Sequence, residues 1–74
     1  WADLGVRVNA VAPGGVKVGG MKNPPPEAVA NVPLKKLSDP EDIANTVCFL
    51  LSDASAMITG QTVIIDGGSH VVGF

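Results

Sequence analysis

The stretch SDPEDIANTVCFLLSD, from Ser38 to Asp53, carries both the start and the interior of a helix. Asp39 stands where an N-cap carboxylate can accept hydrogen bonds from the free backbone N–H groups of a first turn. Pro40 suits the first helical position, where no N–H donor is needed. The acidic side chains of Glu41 and Asp42 then lie at the positive end of the helix dipole. The sequence therefore predicts a helix over about residues 40–52.

The same stretch predicts how the helix is covered. Its apolar residues recur at helical spacing and form a wide stripe, which calls for a sheet beneath it and another helix beside it. The stripe consists of Ile43, Ala44, Val47, Cys48, Leu50 and Leu51. Cys48 is expected to be a small buried residue of this stripe and not a nucleophile.

Working outward, a strand is predicted after the helix. The segment TVIIDGG, Thr62 to Gly68, follows a turn at Gly60 and begins with an unbroken apolar run. Such a run is typical of a parallel strand that is covered on both faces. The strand is predicted over about residues 62–66, with Asp66 expected to cap or turn its end.

A second strand is predicted before the helix. The segment VRVNAVA, Val6 to Ala12, is rich in β-branched residues and predicts a strand over about residues 6–12. It follows WADLG, which is typical of a last helical turn closed by Gly5. The ladder is expected to stop at Pro13, which has no N–H donor. Gly14 and Gly15 then permit either a sharp turn or a close approach to the backbone.

The segment from Gly14 to Pro33 is predicted to be a loop or lid, about residues 14–33. Loops longer than about 12–15 residues inside a compact domain are usually functional or mobile. Within this one, PEAVANV allows a single short helical turn. GGVKVGG has the glycines of a phosphate-binding loop, but MKNPPP follows it in place of a helix N-terminus, so that interpretation is disfavoured.

The order strand, loop, helix, strand predicts one parallel β-α-β crossover. Two strands and one helix cannot cover both faces of their own sheet. We therefore expect residues 1–74 to be the edge portion of a doubly wound, Rossmann-like α/β domain, incomplete on its own.

Composition excludes several classes of function. The chain has 74 residues and a net charge of −2, which is not the basic surface expected of a nucleic-acid-binding protein. No apolar run approaches the roughly 18 residues of a membrane span. One cysteine allows no internal disulfide and mildly favours an intracellular compartment. No cluster of His and Cys indicates a metal site.

Four motifs, in order and spacing, resemble the C-terminal portion of the short-chain dehydrogenase/reductase family. The first is the ending of GVRVNAVAPGGV, with Asn9, Pro13 and Gly14. The others are PLKKLSDPEDIA, SDASAMITGQ and the final DGG. Together they cover most of the chain from about Leu4 to Gly68.

The resemblance implies a nicotinamide cofactor, NAD or NADP, beside the end of the first strand. It implies cofactor contacts from Pro13, Gly14, Gly15, Val16 and Val18, with Val16 bonding the carboxamide through its backbone. The family usually has a threonine at the position of Val18, so a hydroxyl contact is absent here. It implies a substrate loop that includes Gly19, Gly20 and Met21.

The resemblance also implies carbonyl reduction or alcohol oxidation by hydride transfer to or from a small-molecule substrate. The family's catalytic Ser, Tyr and Lys do not fall in this chain, which contains no tyrosine. The chain alone is therefore expected to be inactive. Family members often pair through the last helix and strand, which implies a homo-oligomer.

Other interpretations stay open at this stage. The chain is also consistent with a non-catalytic interaction module that docks on a partner, or with an independent small fold. Pro13-Gly14 taken alone is typical of a plain turn. Lys35 and Lys36 are expected to be solvated. His70 has no partner in the sequence, and a surface or packing role is expected for it rather than catalysis.

Overall fold

The computed structural model describes residues 1–17, 19 and 23–72. Two strands and two helices are present: β1 at Ala10–Pro13, α1 at Pro26–Val29, α2 at Pro40–Leu51 and β2 at Thr62–Ile65. Three short 3-10 turns lie at Ala2–Leu4, Asp53–Ser55 and Ser69–Val72. We call the last of these the terminal turn.

The two strands form a parallel sheet, as the crossover pattern predicted. The register pairs Ala10 with Thr62 and Pro13 with Ile65. Helix α2 packs against β1 and against the turn that follows the helix. The carboxyl ends of both strands therefore meet at one edge of the sheet, beside the start of the long loop.

At the start of helix α2, the side chain and the backbone of Asp42 are joined to the backbone of Asp39 by hydrogen bonds. The backbone N–H of Asp39 donates to the Asp42 carboxylate at 2.8 Å, while the N–H of Asp42 donates to the Asp39 carbonyl oxygen at 2.9 Å. Pro40 occupies the first turn, as predicted. The helix ends at Leu51, one residue before the end of the predicted range 40–52.

The first strand begins at Ala10 and not at the predicted residue 6, because side-chain hydrogen bonds replace most of the ladder before Ala10. The Asn9 amide donates to the Ile58 carbonyl oxygen at 2.9 Å and accepts from the Gln61 N–H at 3.0 Å. The Val8 N–H donates to the Thr59 hydroxyl at 3.2 Å. These bonds, and one backbone bond from the Gly60 N–H to the Val8 carbonyl oxygen at 2.8 Å, hold the segment before Ala10 to the turn before β2.

Pro13 belongs to β1 and the hydrogen bonding to β2 continues to Gly14, so the prediction that the ladder stops at Pro13 is wrong. The N–H groups of Ala10 and Gly14 both donate to β2, to Gln61 and Ile65 respectively, each at 2.9 Å. The backbone N–H groups of β1 that bond β2 therefore belong to every second residue. Pro13 lies between two of them, where the missing N–H costs no hydrogen bond.

Few side chains are buried in the part of the chain that the structure describes. Leu50 is 8% exposed and Ser55 is 1% exposed, whereas Leu51 is 79% exposed and Val8 is 54% exposed. Cys48 is exposed, so the prediction that it is buried is wrong. The sheet covers the part of the stripe around Leu50, and no described element covers the part around Cys48 and Leu51. This exposure fits an edge portion whose apolar faces need further coverage.

Helices long and apolar enough for a membrane crossing are absent from residues 1–17, 19 and 23–72.

Candidate functional site

A cavity of about 410 Å³ opens where the two parallel strands end. Gly14 and Gly15 line it from the end of β1, and Asp66 lines it from the end of β2. The rest of the wall comes from α1, from the segment just after it and from the terminal turn. It includes Asn31 and His70. We call this the strand-end cavity. Its place agrees with the general rule that ligands of open α/β sheets bind beyond the carboxyl ends of the strands.

The end of β2 leaves no room for a side chain at position 14. A Cβ atom at this position would lie 2.7 Å from the Asp66 Cβ and 3.1 Å from the Asp66 Cα. Both distances are shorter than non-bonded carbon atoms tolerate. Packing within the chain is therefore enough to require glycine at position 14, whether or not a ligand approaches it.

Gly15 is constrained in a similar but softer way. A Cβ atom there would lie 2.7 Å from the Leu37 Cδ2, which is the end of a flexible side chain. The opposite surface is open, because Pro13, Gly14 and Gly15 are all exposed. One side of the Gly14–Gly15 backbone thus packs against Asp66 and Leu37, and the other side is exposed backbone without side chains.

Val16 forms an isolated parallel bridge with Ser38, just before α2. The Ser38 N–H donates to the Gly15 carbonyl oxygen at 3.0 Å, and the Lys17 N–H donates to the Ser38 carbonyl oxygen at 2.8 Å. In such a bridge the N–H and C=O of the middle residue point to the other side. Within the described ranges, Val16's own backbone groups make no hydrogen bond.

Lys17 adds an ion pair to the bridge. Its Nζ lies 3.6 Å from the Asp39 carboxylate at the start of α2, and the two side chains are 26% and 54% exposed. Partly exposed pairs of this kind contribute about 0–1 kcal/mol. The backbone bridge, more than this pair, holds the segment from Gly15 to Lys17 in place.

Asp66 closes the end of β2, as predicted. Its Oδ1 accepts the Gly68 N–H at 2.9 Å, and its Oδ2 accepts the His70 N–H at 2.9 Å. The His70 ring lies with Nδ1 at 3.0 Å from Oδ2. No partner for His70 is visible in the sequence, and the turn supplies one because it brings residues four apart into contact.

Two opposing effects act on the pKa of Asp66. Desolvation raises the pKa of this carboxyl, but hydrogen bonds from the His70 and Gly68 N–H groups and the His70 ring together outweigh it. The net pKa lies below the ordinary value of 3.8. The carboxylate is therefore ionised at neutral pH, as an acceptor of several N–H groups should be.

The predicted substrate loop is only partly described. Gly19 has a φ of +60° and open space around it. Val18, Gly20 and Met21 lie outside the described residues. Further along the loop, the short helical turn expected in PEAVANV is present as α1.

The end of the loop packs on the glycine pair that follows Asp66. The Leu34 N–H donates to the Gly67 carbonyl oxygen at 3.2 Å. A Cβ at Gly67 would lie 2.7 Å from Val32 Cγ1, and one at Gly68 would lie 3.1 Å from Pro33 Cγ. The DGG motif thus caps the end of β2 and packs against the end of the long loop.

Arg7 is a structural residue that the sequence reasoning missed. Its guanidinium donates to the carbonyl oxygens of Ile58 at 2.9 Å and Leu50 at 3.0 Å, and to the Ser55 hydroxyl at 3.3 Å. It therefore binds the carbonyl end of α2. The available signal was a single arginine inside an apolar segment, since buried cations require partners.

The comparisons with known proteins agree on one family. Residues 1–70 match the family model described as Enoyl-(Acyl carrier protein) reductase. A short chain dehydrogenase from Bacillus anthracis superposes with a TM-score of 0.81 at 38% identity, covering 95% of this chain and 28% of that one. A short chain dehydrogenase family protein from Francisella tularensis superposes with a TM-score of 0.83 at 32% identity, covering 95% and 35%.

The chain belongs to the short-chain dehydrogenase/reductase family. The resemblance stated from the sequence is thereby confirmed, and so is the α/β, Rossmann-like fold class.

Curated relatives in this family carry different names. The dehydrogenase LinX of Sphingobium indicum, named for 2,5-dichloro-2,5-cyclohexadiene-1,4-diol, is 44% identical over 75 residues, covering 96% of this chain and 30% of that protein. The 3-oxoacyl-[acyl-carrier-protein] reductase FabG of Staphylococcus epidermidis is 43% identical over 75 residues, covering 95% and 30%. Protein FixR of Bradyrhizobium diazoefficiens is 42% identical over 73 residues, covering 96% and 26%. The chain thus spans less than a third of the length of these three relatives.

Proposed function

We propose that this chain is the C-terminal part of an NAD(P)-dependent oxidoreductase and supplies the nicotinamide side of its cofactor site. The observation that carries the proposal is the bare strand end from Pro13 to Val16. Three consecutive exposed residues without large side chains precede a residue whose backbone N–H and C=O are unused within the described ranges.

This geometry fits a nicotinamide in two respects. A flat ring requires a surface without protruding side chains, which Gly14 and Gly15 offer on their exposed side. A carboxamide requires one donor and one acceptor, and the Val16 N–H and C=O are such a pair. When bound, the nicotinamide supplies or accepts the hydride. The residues of this chain bind and orient it, while the proton donor lies elsewhere because the chain has no tyrosine.

The remaining parts of the proposal concern substrate and assembly. A small carbonyl or alcohol substrate would enter beside the loop containing Gly19, Gly20 and Met21. A homo-oligomer would form through α2 and β2. This is supported by exposed apolar side chains on both elements, since Phe49 is 45% exposed and Ile64 is 46% exposed. Apolar residues at a sheet edge favour association.

Replacing Val16 with proline tests the cofactor contact. The substitution V16P removes the one N–H assigned to the carboxamide and spares both hydrogen bonds to Ser38. We expect the affinity of the intact gene product for NADH or NADPH to fall about fivefold to tenfold, the effect of one lost hydrogen bond. Nucleotide fluorescence titration measures this change.

Two further variants serve as controls for V16P. V16A keeps the N–H and shortens the side chain, so it should bind within about twofold of wild type. K17P removes an N–H that bonds Ser38 and should instead lower the melting temperature. Equal nucleotide affinity for V16P and V16A, in folded proteins, would contradict the assignment.

The chain of residues 1–74 alone should show no dehydrogenase or reductase turnover with NADH or NADPH. The physical reason is that no tyrosine is present to act as the proton donor. Measurable oxidation of either nucleotide with a carbonyl substrate would refute this expectation. If the intact gene product binds neither nucleotide, the docking-module interpretation replaces the enzyme one.

A further inference from the structure

The strand-end cavity adjoins the segment for which we propose the nicotinamide contact. Gly14 and Gly15 belong to its wall, and its volume is about 410 Å³. Sites for small molecules are usually cavities of about 300–1,000 Å³. Hydride passes directly between the nicotinamide ring and a carbon atom of the substrate, so the two must lie side by side. A substrate in this cavity would meet that requirement.

The wall of this cavity carries two polar side chains from one helical turn. Glu27 lies on α1, and Asn31 follows shortly after the helix ends. Ala30 between them keeps helical backbone angles, with φ −56° and ψ −39°. Residues four apart on such a turn lie on the same face. Glu27 and Asn31 are both exposed, so a molecule in the cavity can reach them.

Hydrogen bonds and packing fix the position of this turn relative to the sheet. The Val32 N–H donates to the Val29 carbonyl oxygen at 3.0 Å, and the Leu34 N–H donates to the Gly67 carbonyl oxygen at 3.2 Å. The Val32 side chain packs on the same glycine, since its Cγ1 lies 2.7 Å from where a Cβ of Gly67 would be. The turn that carries Glu27 is thus anchored to the end of β2.

Among the described residues, the net charge of the cavity wall is negative. The Asp66 carboxylate lies 3.0 Å from His70 Nδ1, so any positive charge on that ring is offset by an adjacent negative one. Lys35 Nζ donates to the Ala30 carbonyl oxygen at 2.8 Å and does not line the cavity. Within the described ranges Glu27 forms no ion pair. Its carboxylate is therefore the charge that a molecule in the cavity meets.

We propose that Glu27 and Asn31 are specificity-determining residues, which select a substrate that carries a hydroxyl or ammonium group beside its reacting carbonyl or alcohol carbon. This inference rests on the proposed function and names a substrate class for it. A carboxylate accepts hydrogen bonds, and an amide both accepts and donates them. Hydroxyl and ammonium groups donate to such partners, whereas a carboxylate or phosphate group of a substrate is repelled by Glu27. Neither residue touches the reacting carbon.

The experiment compares three methyl ketones of equal carbon number as substrates of the intact gene product with NADH or NADPH. Hydroxyacetone carries a hydroxyl group, aminoacetone an ammonium group and pyruvate a carboxylate. We expect wild type to have a higher kcat/KM for hydroxyacetone and aminoacetone than for pyruvate. In E27Q the ratio of kcat/KM for aminoacetone to that for pyruvate should fall about threefold to twentyfold, because one attraction and one repulsion of an exposed charge are lost.

Asn31 is tested with hydroxyacetone, which has no charge. N31L removes the amide and keeps a side chain of similar size, so KM for hydroxyacetone should rise about fivefold, the effect of one lost hydrogen bond. The kcat for hydroxyacetone should stay within about twofold of wild type in both E27Q and N31L. The reason is that a residue that only selects the substrate does not act on the reacting carbon.

Substitutions outside the cavity wall provide matched controls. E41Q removes the same charge and N45L the same amide from exposed positions on α2. Both should keep the wild-type ketone preference, with KM within about twofold. E27D keeps the charge at the cavity and should keep most of the preference. Thermal unfolding checks that each variant is folded.

An E27Q protein with the same ketone preference as E41Q would overturn the role of Glu27, and an N31L protein with the KM of N45L would overturn that of Asn31. A preference of wild type for pyruvate, or reduction of none of the ketones by a protein that binds nucleotide, would overturn the substrate class. In each of these cases the proposed cofactor contact stands. If wild type binds neither nucleotide, the proposed function fails and the inference fails with it.

Discussion

Replacing Arg7 with alanine is expected to lower the free energy of unfolding by about 2–4 kcal/mol, the loss of several charge-assisted hydrogen bonds from a partly buried site. The guanidinium donates to the carbonyl oxygens of Leu50 and Ile58 and to the hydroxyl of Ser55. Ser55 is 1% exposed, so water cannot readily replace the lost donor there.

In the part of the chain that the structure describes, the positive charge of Arg7 is balanced by backbone carbonyl groups and not by a carboxylate. Among the salt bridges of the described ranges none involves Arg7, and one of its partners is the Leu50 carbonyl at the C-terminal end of α2. The negative end of a helix dipole favours a cation in this place. Arg7 thus joins the segment before β1 to the end of α2 and to the turn leading into β2. Its removal loosens three elements together.

Two variants sharpen the test of R7A. R7K keeps the charge but cannot present a planar fork of donors to several acceptors, so it should recover only part of the loss. K36A changes an exposed lysine and should alter stability by less than about 0.5 kcal/mol. Urea denaturation of the intact gene product measures all three. An R7A protein as stable as K36A would show that the guanidinium bonds contribute nothing.

Replacing Gly14 with alanine is expected to destabilise the protein by about 2–3 kcal/mol, the range for forcing an extra methyl group into an occupied space. The new Cβ would meet the Asp66 Cβ at 2.7 Å and the Asp66 Cα at 3.1 Å. Rotation of a side chain cannot relieve either contact, since both atoms belong to or adjoin the backbone. The strand ends must move apart, and the segment from Pro13 to Val16, for which we propose the cofactor contact, moves with them.

Gly15 provides the matched control for G14A. In G15A the new Cβ would meet the end of the Leu37 side chain, which can change rotamer. We expect G15A to cost about 1 kcal/mol or less. The melting temperature reports stability, and nucleotide titration reports the effect on the proposed cofactor contact. A G15A protein that is less stable than G14A would contradict the packing argument.

The sequence alone determined the elements whose signals lie within a few residues of one another. The start of α2 could be predicted from Asp39, Pro40 and Asp42, because an N-cap acts only across one helical turn. The apolar run at Thr62–Ile65 marks β2, and the order of elements implies a parallel crossover. The shared edge at which β1 and β2 end could likewise be predicted, since parallel strands place their carboxyl ends together.

The tertiary structure decided what depends on residues far apart in the chain. Gly14 must be a glycine because Asp66 lies against it, and Arg7 has its partners more than forty residues away. The start of β1 at Ala10 depends on the turn before β2, whose Ile58 and Gln61 bond the Asn9 side chain. No local propensity encodes such contacts, because they form only when the crossover brings the two strand ends side by side.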